Sequence, residues 1–201
     1  MGKRAERSKI TYDRMAAEYD ASPEGRYTSP HKAELVKRVA VRDGDRILDV
    51  ACGNGALLGE LAKKAKIQAC GLDLSENMIA AARARHPDCT FAAGPCVPLH
   101  FKNESIDIIT VSCAFHHFED PRAFADECMR TLKQGGTVYL AEPFFSPVIR
   151  RLANAVVFPF SRAGDVKVYS PKELCALFGA AGFHDLETDV KGTVLFFSAK
   201  K

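Results

Sequence analysis

A chain of 201 residues, 47% apolar and 26% charged, is long enough to bury one large core, and a formal net charge of +3 with scattered basic residues gives no footprint for nucleic acid. The basic start "MGKRAERSK" lacks the apolar stretch of a secretory signal and carries Glu6 where myristoylation needs Ser or Thr; with no apolar run near the length of a membrane span, a cytoplasmic protein is expected. Seven cysteines, an odd count without a C-x-x-C pair and mostly inside apolar runs such as "QACGLDL" and "TVSCAF", read as buried reduced thiols rather than disulfides or zinc ligands.

Residues 1–45 are polar with a helical pattern. "RILDVA" then reads as a first strand, "CGNG" as the turn leaving its carboxyl end, and Ala56 as the start of a helix with Leu57, Leu61 and Ala65 on one face. "IQACGLDL", "CTFAAG" and "IDIITVSC" are further strands, apolar without alternation and therefore suited to burial on both faces. Asp120 and Pro121 cap and open a helix whose buried stripe is Phe124, Cys128 and Leu132, and Gly135-Gly136 should end it and lead into the strand "TVYLAEP". Residues 143–169 show no strand pattern and are expected among the loops that crown the sheet. In "SPKELCALFGAAG", Ser170 and Glu173 form a capping box, Pro171 takes the first helical position, and Gly182 is placed to stop the helix. "FHDLETDV" and "TVLFFSA" flank "KG" as a terminal hairpin.

These elements predict a doubly wound α/β fold: a mostly parallel, seven-stranded, Rossmann-like sheet with an antiparallel C-terminal hairpin. The expected organisation is one domain over 1–201, with an N-terminal helical lid (1–45), a cofactor-binding half (46–142) and a substrate-side segment with the hairpin (143–201).

In such sheets ligands bind in the crevice at the carboxyl ends of the strands, which is where "CGNG" lies. Gly53 and Gly55 allow a close backbone approach, and the helix N-terminus behind them favours an anionic group. Asp49 would either hold the loop through backbone N–H groups or meet a cationic group of the ligand. Leu58 breaks the G-x-G-x-x-G dinucleotide fingerprint and no Gly-Lys-Ser/Thr follows, so a pyrophosphate pocket and a P-loop are both disfavoured. Asp73 nevertheless ends the second strand about 20 residues on, a spacing suited to ribose hydroxyls. The pattern asks for an adenosine-like ligand with a compact zwitterionic end.

"LDVACGNG", "GLDLSENMIAAARAR", "FKNESIDIITVSCAFHHFEDP" and "LKQGGTVYLAEP", preceded by "YDRMAAEYD", together resemble the class I S-adenosylmethionine-dependent methyltransferases, especially the small-molecule branch that includes the quinone-biosynthesis C-methyltransferases. The resemblance implies S-adenosylmethionine as cofactor. It places Asp49, Ala51, Cys52, Gly53, Asn54 and Gly55 at the methionine end, Asp73 on the ribose, and Leu74 and Met78 against the adenine. Gly94, Pro95 and Cys96 would border the adenine edge, Ser112 and Cys113 would close the site from the fourth strand, and Tyr19 would reach the cofactor carboxylate, with Tyr12 a second candidate. Many relatives carry an acid where Pro95 stands; proline cannot accept from the adenine amino group, and a backbone amide at Cys96 would have to serve.

The cofactor carries the electrophilic methyl, so the protein has to align a nucleophile and, for a phenol or activated carbon, remove a proton. His116 and His117 are the candidate bases, His117 matching a histidine of this branch, and Glu142 is a candidate for orienting substrate. A metal is not expected, because adjacent histidines on an extended segment point to opposite faces and no second cluster completes a tetrahedron. The absence of an Asn/Asp-Pro-Pro-aromatic motif argues against planar amino acceptors, leaving C- or O-methylation of a small, apolar or aromatic molecule. In "VIRRLANAVVFPF", Arg150 and Arg151 beside apolar residues fit an apolar substrate with an anionic group or a transient membrane-surface contact, with ordinary core packing the first expectation. A catalytically inactive cofactor-binding domain acting through a partner protein is the alternative, and a nucleotide-dependent oxidoreductase a third reading. The oligomeric state is not legible.

Overall fold

The computed structural model describes residues 2–161 and 163–201. Helices α1 (Lys3–Met15) and α2 (Pro23–Arg38), joined by a tight helical turn (Ala16–Ala21), precede the sheet. There follow β1 (Arg46–Val50), α3 (Ala56–Ala62), β2 (Gln68–Asp73), α4 (Glu76–Arg85), β3 (Thr90–Ala93), β4 (Ile106–Ser112), α5 (Pro121–Thr131) and β5 (Leu132–Pro143). The chain ends with α6 (Pro147–Leu152), α7 (Pro171–Ala180), β6 (His184–Lys191) and β7 (Val194–Lys200). Among the described residues one seven-stranded sheet forms in the order β3-β2-β1-β4-β5-β7-β6, its first five strands parallel and β7 antiparallel to both β5 and β6.

Alternation along the central strand explains the two layers. Leu48 and Val50 of β1 point into a cluster with Phe115, Phe124, Leu174 and Phe178, so α5 and α7 cover that face. Ile47 points the other way, into Leu35, Leu57, Leu61 and Ile79 from α2, α3 and α4. Helix starts are fixed by side chains that accept otherwise unpaired N–H groups: Ser22 from Gly25, Ser75 from Met78, Asp120 from Ala123, and the reciprocal Ser170–Glu173 box at α7. Each is worth about 1 kcal/mol.

The fold departs from the sequence pattern in four places. Helix α3 stops at Ala62, so Leu57 and Leu61 are buried but Ala65 lies beyond the helix. Helix α5 ends at Thr131, and β5 already runs through Gly135-Gly136, with Leu132 its first residue. Strand β3 is an edge strand with only Phe91 buried, so "CTFAAG" is not covered on both faces. Residues 147–160 are consecutive helical turns rather than loop or core. Val148, Ile149, Leu152, Val156, Val157 and Phe160 are all exposed, Phe160 at 81%, because the segment has no layer above it.

Candidate functional site

A hollow of about 320 Å³ opens at the carboxyl ends of β1, β2 and β4, beneath α1. The strand order reverses beside β1, so the loops after β1 and β4 diverge there and leave a crevice. The residues that end these strands carry the distortion. Ala51 (φ +57°) and Cys113 (φ +51°) are non-glycine residues in the left-handed region, one after β1 and one after β4, and both border the hollow. Such conformations cost on the order of 1–3 kcal/mol and cluster at functional sites.

The loop after β1 is pinned from β2. Asp73 Oδ2 accepts the N–H of Gly53 at 2.8 Å and Oδ1 that of Ser75 at 2.9 Å, while the N–H of Cys52 donates to the Leu72 carbonyl at 3.1 Å. Gly53 (φ +54°) faces open space, and Gly55 (φ +77°) caps α3 against the Phe91 ring. Asn54 is buried away from the hollow: its amide donates to Asp20 Oδ1 at 2.8 Å, and Asp20 pairs in turn with Arg85. Burial pushes Asp73 above the usual carboxylate range against the two N–H bonds it accepts.

Asp49 lies deeper, 2% exposed. Its Oδ1 accepts from the Thr110 hydroxyl at 2.7 Å, and burial pushes its pKa up to about 7. The backbone N–H of the loop thus goes to Asp73, not to Asp49 as one sequence reading had it. Lys32 of α2, which sequence reasoning missed, borders the hollow with its ammonium 5.0 Å from the centre of the Tyr19 ring. Its charge pulls down the pKa of both Asp49 and Asp73. No spacing in the sequence marks it.

Tyr19, Ala51, Gly53, Asp73, Leu74, Met78, Gly94, Pro95, Cys96, Ser112, Cys113 and His117 of the sequence-derived set all border the hollow. Cys52, Asn54, Gly55, His116 and Glu142 are not among the lining residues, and Asp49 lies directly beneath Ala51 and Val50 of the lining, reached only through a 2% exposed side chain. Ser112 presents a buried hydroxyl without a hydrogen-bond partner among the described residues. The thiols of Cys96 and Cys113 are pushed up to about 12 by burial, so they line the hollow as protonated, apolar groups.

The two histidines are not on opposite faces, because residues 115–117 form a tight helical turn instead of continuing β4. Their rings lie side by side, centres 4.1 Å apart. Glu142, expected to orient a substrate, is fully engaged elsewhere: Oε1 accepts the N–H groups of Ala114 and Phe115, and Oε2 accepts the His116 N–H and lies 2.8 Å from His116 Nδ1. Burial pulls the His116 pKa down, but the Glu142 charge and hydrogen bond outweigh it and the net shift is upward. His117 is held well below its usual value by burial and by His116, so its ring is neutral; Nε2 shares a 3.3 Å hydrogen bond with the Tyr12 hydroxyl.

Comparison with known proteins follows this geometry. A family model described as a methyltransferase domain matches residues 48–140. The chain is 34% identical to a demethylmenaquinone methyltransferase of Chlorobaculum parvum over 58% of its own length and 49% of that protein's. It is 30% identical to the demethylmenaquinone methyltransferase of Renibacterium salmoninarum over 73% of its own length and 64% of that protein's. Over these lengths the chain resembles the class I S-adenosylmethionine-dependent methyltransferases, and residues 48–140 match their methyltransferase domain. It spans between about half and two thirds of these curated relatives. The fold also matches a methyltransferase solved with the Trm112 methyltransferase activator of Haloferax volcanii, with a TM-score of 0.81 and 24% identity over 94% of this chain and 96% of that one.

The family's cofactor is S-adenosylmethionine, and the donor set of the hollow fits it. A buried acid stands at one strand end, an ammonium and a second buried acid stand at the other, and an unpartnered hydroxyl and apolar thiols lie between. Among the described residues no helix is long and apolar enough to cross a membrane.

Proposed function

We propose that the chain transfers the methyl group of S-adenosylmethionine to a small, apolar or aromatic acceptor, by C- or O-methylation. The observation that carries this reading is the Gly53–Asp73 junction at the floor of one hollow, with Lys32 and Asp49 at one end and Tyr12 and His117 above. Asp73 keeps lone pairs free beyond the two N–H bonds it accepts, and these receive the ribose hydroxyls. Leu74 and Met78 cover the adenine, with Gly94, Pro95 and Cys96 at its edge. Lys32 pairs with the cofactor carboxylate and Asp49 with its ammonium; Tyr19 shapes that end. The N–H groups and open side of 51–55 and the Ser112 hydroxyl complete the set.

The bound cofactor supplies an electrophilic methyl next to a sulfonium. The protein's part is alignment, on the order of 7–11 kcal/mol, and removal of the acceptor's proton, roughly 100- to 10,000-fold. The Tyr12–His117 pair, neutral and facing the hollow, takes that proton. Glu142 and His116 are positioning residues that hold the 114–117 turn in place. The chain acts as one unit, with 1–45 as lid, 46–142 as cofactor half and 143–201 on the substrate side, and as a cytoplasmic protein that its free thiols suit. No nucleic-acid partner is invoked. The exposed apolar turns of 147–160 serve transient contact with a membrane surface, which would suit an apolar acceptor.

The fold neighbour solved with an activator protein supports a second reading, a catalytically inactive cofactor-binding domain that acts through a partner protein. Purified protein given labelled cofactor and a metabolite extract separates the two. Transfer of label, lost in Tyr12→Phe and His117→Ala but with S-adenosylhomocysteine still bound, supports catalysis. Tight binding without transfer over many candidate acceptors supports the second reading.

A further inference from the structure

Residues 163–167 lie against the histidine turn, a contact no sequence spacing announces. The N–H groups of Val166 and Lys167 donate to the His116 carbonyl at 2.8 and 3.1 Å, and Arg4 of α1 donates to the Asp165 carbonyl at 2.9 Å. The Asp165 carboxylate is thereby carried to both imidazoles: Oδ1 lies 3.5 Å from His116 Nε2 and 3.4 Å from His117 Nδ1. The three atoms lie within 4.8 Å of one another. The His117 side chain is only 10% exposed, and its Nδ1 faces the Asp165 carboxylate and the Gly164 backbone.

We propose that His116 Nε2, His117 Nδ1 and Asp165 Oδ1 bind a first-row divalent transition cation such as zinc. Ligands about 2.1 Å from a common ion and at the tetrahedral angle sit about 3.4 Å apart, the separation found here for both carboxylate–imidazole pairs. Each ligand also has the outer partner that such sites require. Glu142 takes the Nδ1 proton of His116 and leaves Nε2 as the lone-pair atom, Tyr12 meets the far nitrogen of His117, and the Ser161 hydroxyl holds the other oxygen of Asp165. Two nitrogens and one oxygen leave a coordination position open, and they suit zinc or iron(II) better than magnesium or calcium. The nearby Arg4 guanidinium is spent on backbone carbonyls, not on the carboxylate. The ion would clamp Asp165 and the 163–167 stretch to the floor of the hollow. Coordination through Nδ1 would keep the His117 ring proton on Nε2, so the ion-bound form donates to the Tyr12 oxygen and only the ion-free form can take a proton there.

The test is cobalt(II) titration of the full chain after chelator dialysis, followed by visible absorption, with S-adenosylhomocysteine binding as a check on folding. One equivalent should give d–d bands without the near-ultraviolet thiolate charge transfer that the seven cysteines would produce, and zinc should abolish them. Asp165→Asn should weaken cobalt binding by more than about 100-fold, beyond the loss of an outer partner, while still binding S-adenosylhomocysteine. Absent bands, thiolate charge transfer, or unchanged binding in both Asp165→Asn and His117→Gln would overturn the site and leave the methyltransferase reading untouched.

Discussion

The Asp73 carboxylate accepts the backbone N–H of Gly53 at 2.8 Å. The acid that ends β2 and the glycine that leaves β1 are therefore one mechanical unit, and the site's floor is set before any ligand arrives. Asp73→Ala removes both the acceptor of the ribose hydroxyls and the tie on the loop. Calorimetric affinity for S-adenosylhomocysteine should fall at least about tenfold, the order of one charge-assisted hydrogen bond. Asp73→Asn keeps one carbonyl acceptor and should lose less. Equal affinity in all three proteins would remove Asp73 from the site.

The two loop glycines should fail differently. Both sit at positive φ, where any other residue costs roughly 1–2 kcal/mol. An added Cβ at Gly53 meets nothing within 4 Å, whereas at Gly55 it lies 2.8 Å from the Phe91 ring. Gly55→Ala should lose about 2–3 kcal/mol in denaturant unfolding, strain and overpacking together. Gly53→Ala should lose only the strain, but with weakened cofactor binding, because its methyl projects into free space beside the hollow.

What the sequence discloses and what it hides divide along one line. The strand ends, the glycines and Asp73 are local features, and "LDVACGNG" followed by "GLDL" already implies their juxtaposition through a right-handed crossover. Lys32 is hidden because a lysine on a polar helix looks solvated, and only packing of α2 against α3 turns it inward. Asp165 is hidden because α5, β5 and α6 separate it in the chain from His116 and His117, which it meets only in the fold. The histidines themselves were misread because period-two alternation ends where the chain turns at 115. The 147–160 segment misleads for the opposite reason: its apolar residues promise burial, and the fold offers them nothing to pack on.

Asp49 makes the free protein's stability depend on pH. Its folded pKa of about 7 lies above the 3.8 usual for an aspartate, so between these limits the folded state holds a proton that the unfolded chain has released. This group's contribution to stability is therefore present at low pH and lost as pH rises from about 4 to 7. A cofactor ammonium reverses the preference, because it favours ionised Asp49. S-adenosylhomocysteine affinity should climb as pH rises towards 7, with proton release visible as a buffer-dependent binding enthalpy. In Asp49→Asn both dependences should flatten.

Glu142 is the position where a catalytic and a structural role make opposite predictions. Its two oxygens receive three consecutive backbone N–H groups, from Ala114 to His116, together with the His116 ring. A residue so occupied has nothing left to offer a substrate. Removing it strands several buried donors, and breaking a buried charged network costs about 3–5 kcal/mol. For a chain this size that is a fall in melting temperature on the order of 10 °C. Glu142→Gln, which keeps one oxygen but loses the charge, should fall between. The decisive comparison is at a temperature where Glu142→Gln stays folded. If the residue only positions the turn, S-adenosylhomocysteine affinity is nearly normal and the pH profile of turnover moves, because His116 loses the charge that raises its pKa. If instead turnover collapses at every pH in a variant with unaltered melting temperature, Glu142 touches the reacting atoms and the anchoring role is wrong.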